Sequence, residues 1–128
     1  MKKVIFSENA PKVVGPYSQA ISTGELIFCS GQIAINPVTG TLEGDSIEAQ
    51  TEQVLKNLAA VLKEAGCTLS DVVQTQCFLA NMNDYPKFNE IYANYFAESK
   101  PARYTVGVDS LPANALVEIA VIAQVKKA

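Results

Sequence analysis

The sequence predicts an α+β fold: a single domain in which a mixed six-stranded sheet carries two helices on one face. Three observations lead there. The chain has 128 residues, 48% of them hydrophobic, which is the size and composition of one domain with its own core. The hydrophobic period switches along the chain between short apolar runs and helical spacing. Gly, Pro and Asn signals punctuate the segments and leave the order β-β-β-α-β-α-β-β. Two helices that each connect strands belong on one face of the sheet.

The elements are read in order. Val4 to Phe6 is a short strand. Glu8 to Ser18 (ENAPKVVGPYS) holds two prolines and a glycine and reads as a loop. Gln19 to Ser22 and Leu26 to Ser30 flank Thr23-Gly24-Glu25 as a hairpin, and Asn36 to Gly40 (NPVTG) is a turn. From Ile47 to Ala65 the apolar positions Ile47, Val54, Leu55, Leu58, Val61, Leu62 and Ala65 form one helical stripe. Asp45 or Ser46 caps its start and Gly66 ends it. Val72 to Leu79 alternates, with Val73, Thr75, Cys77 and Leu79 on one face and Gln74 and Gln76 on the other. Asp84 to Phe96 returns to helical spacing through Tyr85, Phe88, Ile91, Tyr92, Tyr95 and Phe96, an aromatic stripe read as core. Pro101 follows as a stop, and Ala102 to Val108 and Leu116 to Val125 complete the strands. The last strand is apolar on both sides, so a neighbouring subunit is expected to cover its second face.

Composition excludes several chemistries. Net charge is −3 and the sequence pI about 4.9, so no broad basic face is available for phosphate-backbone binding, and nucleic acid is not an expected partner. MKKVIF carries too short an apolar run for a signal peptide, and no stretch is long enough to span a membrane. Cys29, Cys67 and Cys77 match no zinc or CxxC spacing and read as reduced thiols of a cytoplasmic protein. There is no histidine. That removes Ser-His-Asp and Cys-His catalysis and argues against zinc or haem.

Four stretches can carry chemistry. Arg103 opens a strand within PARYTVGV; its planar fork suits bidentate capture of a carboxylate, and a structural salt bridge or a solvated side chain is the competing reading. Glu118 lies within the apolar run NALVEIAVIAQV and shares a strand face with Leu116, Ala120 and Ile122. A carboxylate there needs a partner, water or a proton, so it is either an ion pair at an edge or a catalytic base holding water. Tyr17 in VGPYSQA offers a ring or a hydroxyl to a ligand, or simply packs. Ser30-Gly31 ends a strand where glycine permits close backbone approach. Neither GxxxxGK[ST] nor GxGxxG occurs.

GPYSQA, SGQIAINPVTG, NDYPKFNEIYANYF, PARYTVGV and LPANALVEIAVIA, in that order, resemble the Rid family of YjgF-type reactive intermediate deaminases. The resemblance covers essentially the whole chain and falls nearest the 2-iminobutanoate/2-iminopropanoate deaminase branch. It implies a chorismate-mutase-like fold, a homotrimer with active sites in intersubunit clefts, and no cofactor or metal. It implies hydrolysis of reactive enamines and imines to 2-oxo acids and ammonia, a form of metabolite damage control. By the same resemblance Arg103 holds the substrate carboxylate and Glu118 positions the attacking water. Tyr17, Ser30, Gly31, Asn89 and Thr105 line the cleft. Two positions depart from the family pattern. Thr105 stands where PARxCV has cysteine, leaving its backbone N–H as the transferable contact, and Ala120 replaces the second glutamate of VEIEAIA. The competing functions are a trimer that binds small 2-oxo acids without turnover, a ribonuclease or translation inhibitor, and, by fold analogy only, a chorismate mutase.

Overall fold

The stripe from Ile47 to Leu62 needs an apolar partner, and the alternating strands supply one. A computed structural model describes residues 2–126; residues 1, 127 and 128 of the expected domain lie outside it. The strands are β1 (Lys3–Ile5), β2 (Ala20–Ser22), β3 (Leu26–Gln32), β4 (Val72–Leu79), β5 (Ala102–Gly107) and β6 (Val117–Gln124). The helices are α1 (Ile47–Glu64) and α2 (Tyr85–Phe96). They build one six-stranded sheet in the order β1-β2-β3-β6-β4-β5. Only β4 and β5 run parallel, joined through α2; every other pair is antiparallel. The expected α+β class and element order hold, with boundaries shifted by about a residue.

Local chemistry explains the ends of α1. Ser46 Oγ accepts from the Ala49 N–H at 3.1 Å. At the other end Gly66 takes φ +76°, and the Cys67 N–H reaches back to the Leu62 carbonyl at 2.9 Å. Ile47, Val54, Leu55, Leu58, Val61 and Leu62 are all buried, as the stripe requires. They meet Val117, Ile119, Val121 and Ala123 of β6, together with Ile27 and Cys29 of β3. The core therefore lies between α1, α2 and one face of the sheet. Buried Asn57 ties α1 to the segment after β3, donating to the carbonyls of Ile33 and Ile35 at 3.2 and 2.9 Å.

The opposite face is open in a single chain. Phe28, Tyr104 and Val106 are exposed there, and Ile122 and Phe78 half-buried. Phe78 and Tyr104 meet edge to face, with ring centroids 6.3 Å apart. This is the second apolar side that the sequence of the last strand called for. One strand assignment needs correction. Val73 is exposed, because the register between β4 and β6 shifts between Val72 and Gln74. A bulge adds one residue and inverts the alternation, so Val72 takes the core position that Val73 was expected to fill.

Gln19 leaves the strand predicted for it and becomes an anchor for the loop before it. Its side chain is buried, accepts from the Ser7 N–H at 2.6 Å, and donates to the carbonyls of Ser7 and Pro11 at 3.1 and 2.9 Å. Gln19→Ala strands three backbone groups at once. It is expected to cost about 2–4 kcal/mol in denaturant unfolding at fixed protein concentration, with faster protease cleavage between Glu8 and Ser18.

Candidate functional site

The sheet divides the residues singled out above into two groups. The first gathers where β5 meets α2. Arg103 lies opposite Thr75 in the parallel register, on the helix-covered face. Its Nη1 donates to Asn89 Oδ1 at 2.8 Å and its Nη2 to the Tyr85 hydroxyl at 2.6 Å. The guanidinium carbon stands 4.6 Å from the Tyr92 ring centroid and 5.6 Å from that of Tyr85. The Tyr92 hydroxyl pairs in turn with Thr75 Oγ1 at 2.7 Å, and burial pushes its phenol pKa up. Every polar partner of Arg103 is thus neutral. Among the described residues the ion pair present is Lys126 with Asp71, at 3.7 Å, and Arg103 contacts no carboxylate. Within one chain the salt-bridge alternative finds no partner among the described residues, and the guanidinium keeps spare donors.

Thr105 follows Arg103 by two residues, on the same face and opposite Cys77. Its hydroxyl is buried and, among the described residues, is the one such side-chain atom without a hydrogen-bond partner. Burial dominates at Cys77 too and lifts its thiol pKa to about 11. The Thr105 hydroxyl is therefore closed off, on the outer strand of the sheet.

The second group gathers where β3 meets β6. The register between these strands shifts between Cys29 and Gln32, a bulge that contains Ser30 and Gly31. A Cβ at Gly31 would collide with Glu118 Oε2 and stand 3.0 Å from its carboxyl carbon, so the missing side chain makes room for the carboxylate. Glu118 is half-buried and has no ion-pair partner among the described residues; burial holds its pKa above the ordinary carboxylate value. The GPYSQ loop is stitched to the same bulge. Ser30 Oγ donates to the Ser18 carbonyl at 2.6 Å, and the Ser30 N–H to the Gln19 carbonyl at 2.9 Å. That leaves Tyr17, next in line, exposed beside the bulge.

A single chain does not bring the two groups together. Glu118 pairs with Phe78 across β6 and β4, whereas Arg103 pairs with Thr75 across β5 and β4. Phe78 and Thr75 are three residues apart on one strand, so they project from opposite faces, and Arg103 and Glu118 with them. An open hollow of about 380 Å³ between Pro11 and Gly40 contains neither. Sequence reasoning missed Tyr85, Tyr92 and Thr75 as neighbours of Arg103. The available signal was the spacing of Tyr85, Asn89 and Tyr92, which lines them up on one helix face. The aromatic stripe is core, as expected, and also serves the site: Phe88, Tyr92 and Phe96 are buried, and the rings of Tyr85 and Tyr92 lie beside the Arg103 guanidinium. Among the described residues no cluster of acidic or cysteine side chains could hold a metal ion, and no helix is long and apolar enough to cross a membrane.

Comparison with known proteins agrees with this architecture. The family model described as Endoribonuclease L-PSP matches residues 7–125. A RutC family protein of Pyrococcus horikoshii is 54% identical over 96% of this chain and 98% of its own. The 2-iminobutanoate/2-iminopropanoate deaminase of mouse is 44% identical over 96% of this chain and 91% of its own. Among solved structures, a Rid-family protein of unknown function from Yersinia pestis superposes with a TM-score of 0.95 at 52% identity, covering 98% of this chain and all of that one. TdcF of E. coli, solved with bound serine, superposes with a TM-score of 0.90 at 34% identity, covering 98% and 99%. The chain belongs to the Endoribonuclease L-PSP family, the YjgF or Rid proteins.

Proposed function

We propose that the chain hydrolyses reactive 2-imino acids, 2-iminobutanoate and 2-iminopropanoate, to 2-oxo acids and ammonia. The observation that carries this reading is Arg103: oriented by neutral acceptors, flanked by two rings and, among the described residues, without a carboxylate partner. Holding an arginine that way suits a site whose ligand supplies the anion. The deaminase name of the mouse relative supports the same chemistry.

In this reading the two groups meet between copies of the chain in a homotrimer, whose contacts also cover the open apolar face. Arg103 of one copy anchors the imino acid carboxylate. The partner subunit's Glu118 holds a water against the C=N carbon and takes its proton as the oxygen attacks. The C=N π electrons move to nitrogen, which takes that proton back from Glu118, and a second transfer carries the carbinolamine hydroxyl proton to the amine. The carbinolamine then expels ammonia as its C=O bond forms. A carboxyl destabilised by burial is a stronger base than an exposed one, which suits this step. Imines hydrolyse unaided, so acid-base help of about 10²–10⁴-fold is sufficient. Tyr17, Ser30 and the Asn89 amide lie beside the reacting atoms in this arrangement, and the Thr105 backbone N–H completes it.

A second reading is a trimer that binds 2-oxo acids without turnover. Its support is that Arg103 is complete within one chain, whereas Glu118 reaches it only through another copy. The endoribonuclease description of the family is not carried over, because a net charge of −3 argues against phosphate-backbone binding as the main activity.

In an assay that generates the imine in situ with an amino-acid oxidase, traps the remainder with semicarbazide and follows 2-oxo acid release, wild type should accelerate hydrolysis. Arg103→Ala should abolish the acceleration with fold and oligomer intact. No acceleration by wild type, with pyruvate still bound, would favour the non-catalytic reading. Gly31→Ala should keep the fold, since the far end of Glu118 can swing aside, but lower kcat by about tenfold or more through the displaced carboxylate. Glu118→Gln should remove activity and raise the thermal midpoint at pH 7. The folded state disfavours the charged carboxyl, so wild type gains stability as pH falls through the raised pKa toward the ordinary value of 4.5. The midpoint advantage of Glu118→Gln should accordingly shrink over that interval.

A further inference from the structure

We propose that the Tyr85 hydroxyl is a ligand-binding group: it accepts from Arg103 and donates its own proton to a carboxylate oxygen of the bound acid. The inference rests on the reading of Arg103 as the carboxylate anchor. Tyr85 is the first residue of α2, with Asn89 one turn on and Tyr92 a further turn along the same face. Its ring is tilted against Phe88, centroids 6.3 Å apart, and lies 5.6 Å from the guanidinium carbon. The side chain is thus located by its ring, and the hydroxyl is available for polar work.

The donor count gives that work a direction. A guanidinium has five N–H donors. Asn89 Oδ1 takes one from Nη1 and the Tyr85 oxygen one from Nη2. Each terminal nitrogen keeps a second N–H, and Nε keeps its own, so a bidentate contact with a carboxylate remains possible. The 2.6 Å contact uses Tyr85 as acceptor, because arginine can only donate. The phenol proton is then left over, and it has no acceptor among the described residues. A hydroxyl that accepts from a cation is polarised into a better donor. Tyr85 is half-buried, as are Arg103 and Asn89, and the 2.6 Å contact keeps its hydroxyl beside the guanidinium. An acid bound there meets the arginine fork and a phenol together. Tyr85 is therefore a determinant of affinity for the carboxylate end of the ligand, separate from the chemistry at the C=N carbon.

The test compares wild type, Tyr85→Phe and Arg103→Ala, each as the intact oligomer. Phenylalanine keeps the ring beside the guanidinium and removes the hydroxyl alone. Calorimetric titration with pyruvate, a non-reacting 2-oxo acid, gives Kd, and imine hydrolysis gives kcat and KM. For Tyr85→Phe we expect Kd and KM to rise about tenfold while kcat stays within about twofold, the pattern of lost uniform binding. A crystal structure with pyruvate should place Tyr85 Oη within about 3 Å of a carboxylate oxygen. The proposal is overturned if Arg103→Ala abolishes binding while Tyr85→Phe binds pyruvate as wild type does. It is also overturned if the complex shows the carboxylate on Arg103 alone. Unchanged pyruvate binding by Arg103→Ala would instead remove the anchor reading on which the proposal stands.

Discussion

β6 is the strand on which the rest of the molecule depends. It runs between β3 and β4 in the middle of the sheet, and its side chains must alternate. Val117, Ile119, Val121 and Ala123 point into the helix-covered core and are buried there. Burying four such side chains leaves no freedom for the residues between them. Glu118, Ala120 and Ile122 are driven to the open face whatever their chemistry. A charge in the middle of an apolar strand is thus consistent with a well-packed core, because the strand has two sides and the helices cover one.

The same constraint keeps the two ionisable groups of the site apart. Arg103 shares the helix face and Glu118 the open face, so neither can neutralise the other within one chain. Each is handled differently. Arg103 is held by an amide, a phenol and a ring face, which fix its direction without cancelling its charge. Glu118 is given space by Gly31 rather than a partner, and burial raises its proton affinity. Neither group is paired with an opposite charge among the described residues.

Much of this was legible in the residues. The stripe of α1, a cap at Asp45 or Ser46 and a stop at Gly66 follow from helix chemistry, and the structure has the stripe, the Ser46 cap and the Gly66 stop. The double-sided apolarity of the last strand predicts a second apolar face that the helices do not cover. Other features were hidden because they are not periodic. The bulge at Val72–Gln74 inverts alternation without leaving a turn residue, so Val73 was assigned to the wrong side. Gln19 looked like a strand residue, yet its amide spans twelve residues to Ser7. Tyr85 and Tyr92 carry the same hydrophobic weight as Phe88 in a pattern, and only their neighbours reveal that they flank a cation.

By itself the sequence determined the α+β class, the order of elements, the absence of histidine chemistry and the identity of the two charged residues in apolar strands. Those properties are local: composition, period and caps depend on residues within a few positions of one another. The tertiary structure decided what those residues can do. Which face Arg103 and Glu118 occupy depends on strand register, and register is set by pairings between segments far apart in the chain. The neutral cradle of Arg103 joins α2 to β5, and the space at Gly31 joins β3 to β6. Contacts of that kind exist only after the chain has folded, because they are formed by packing rather than by sequence neighbours.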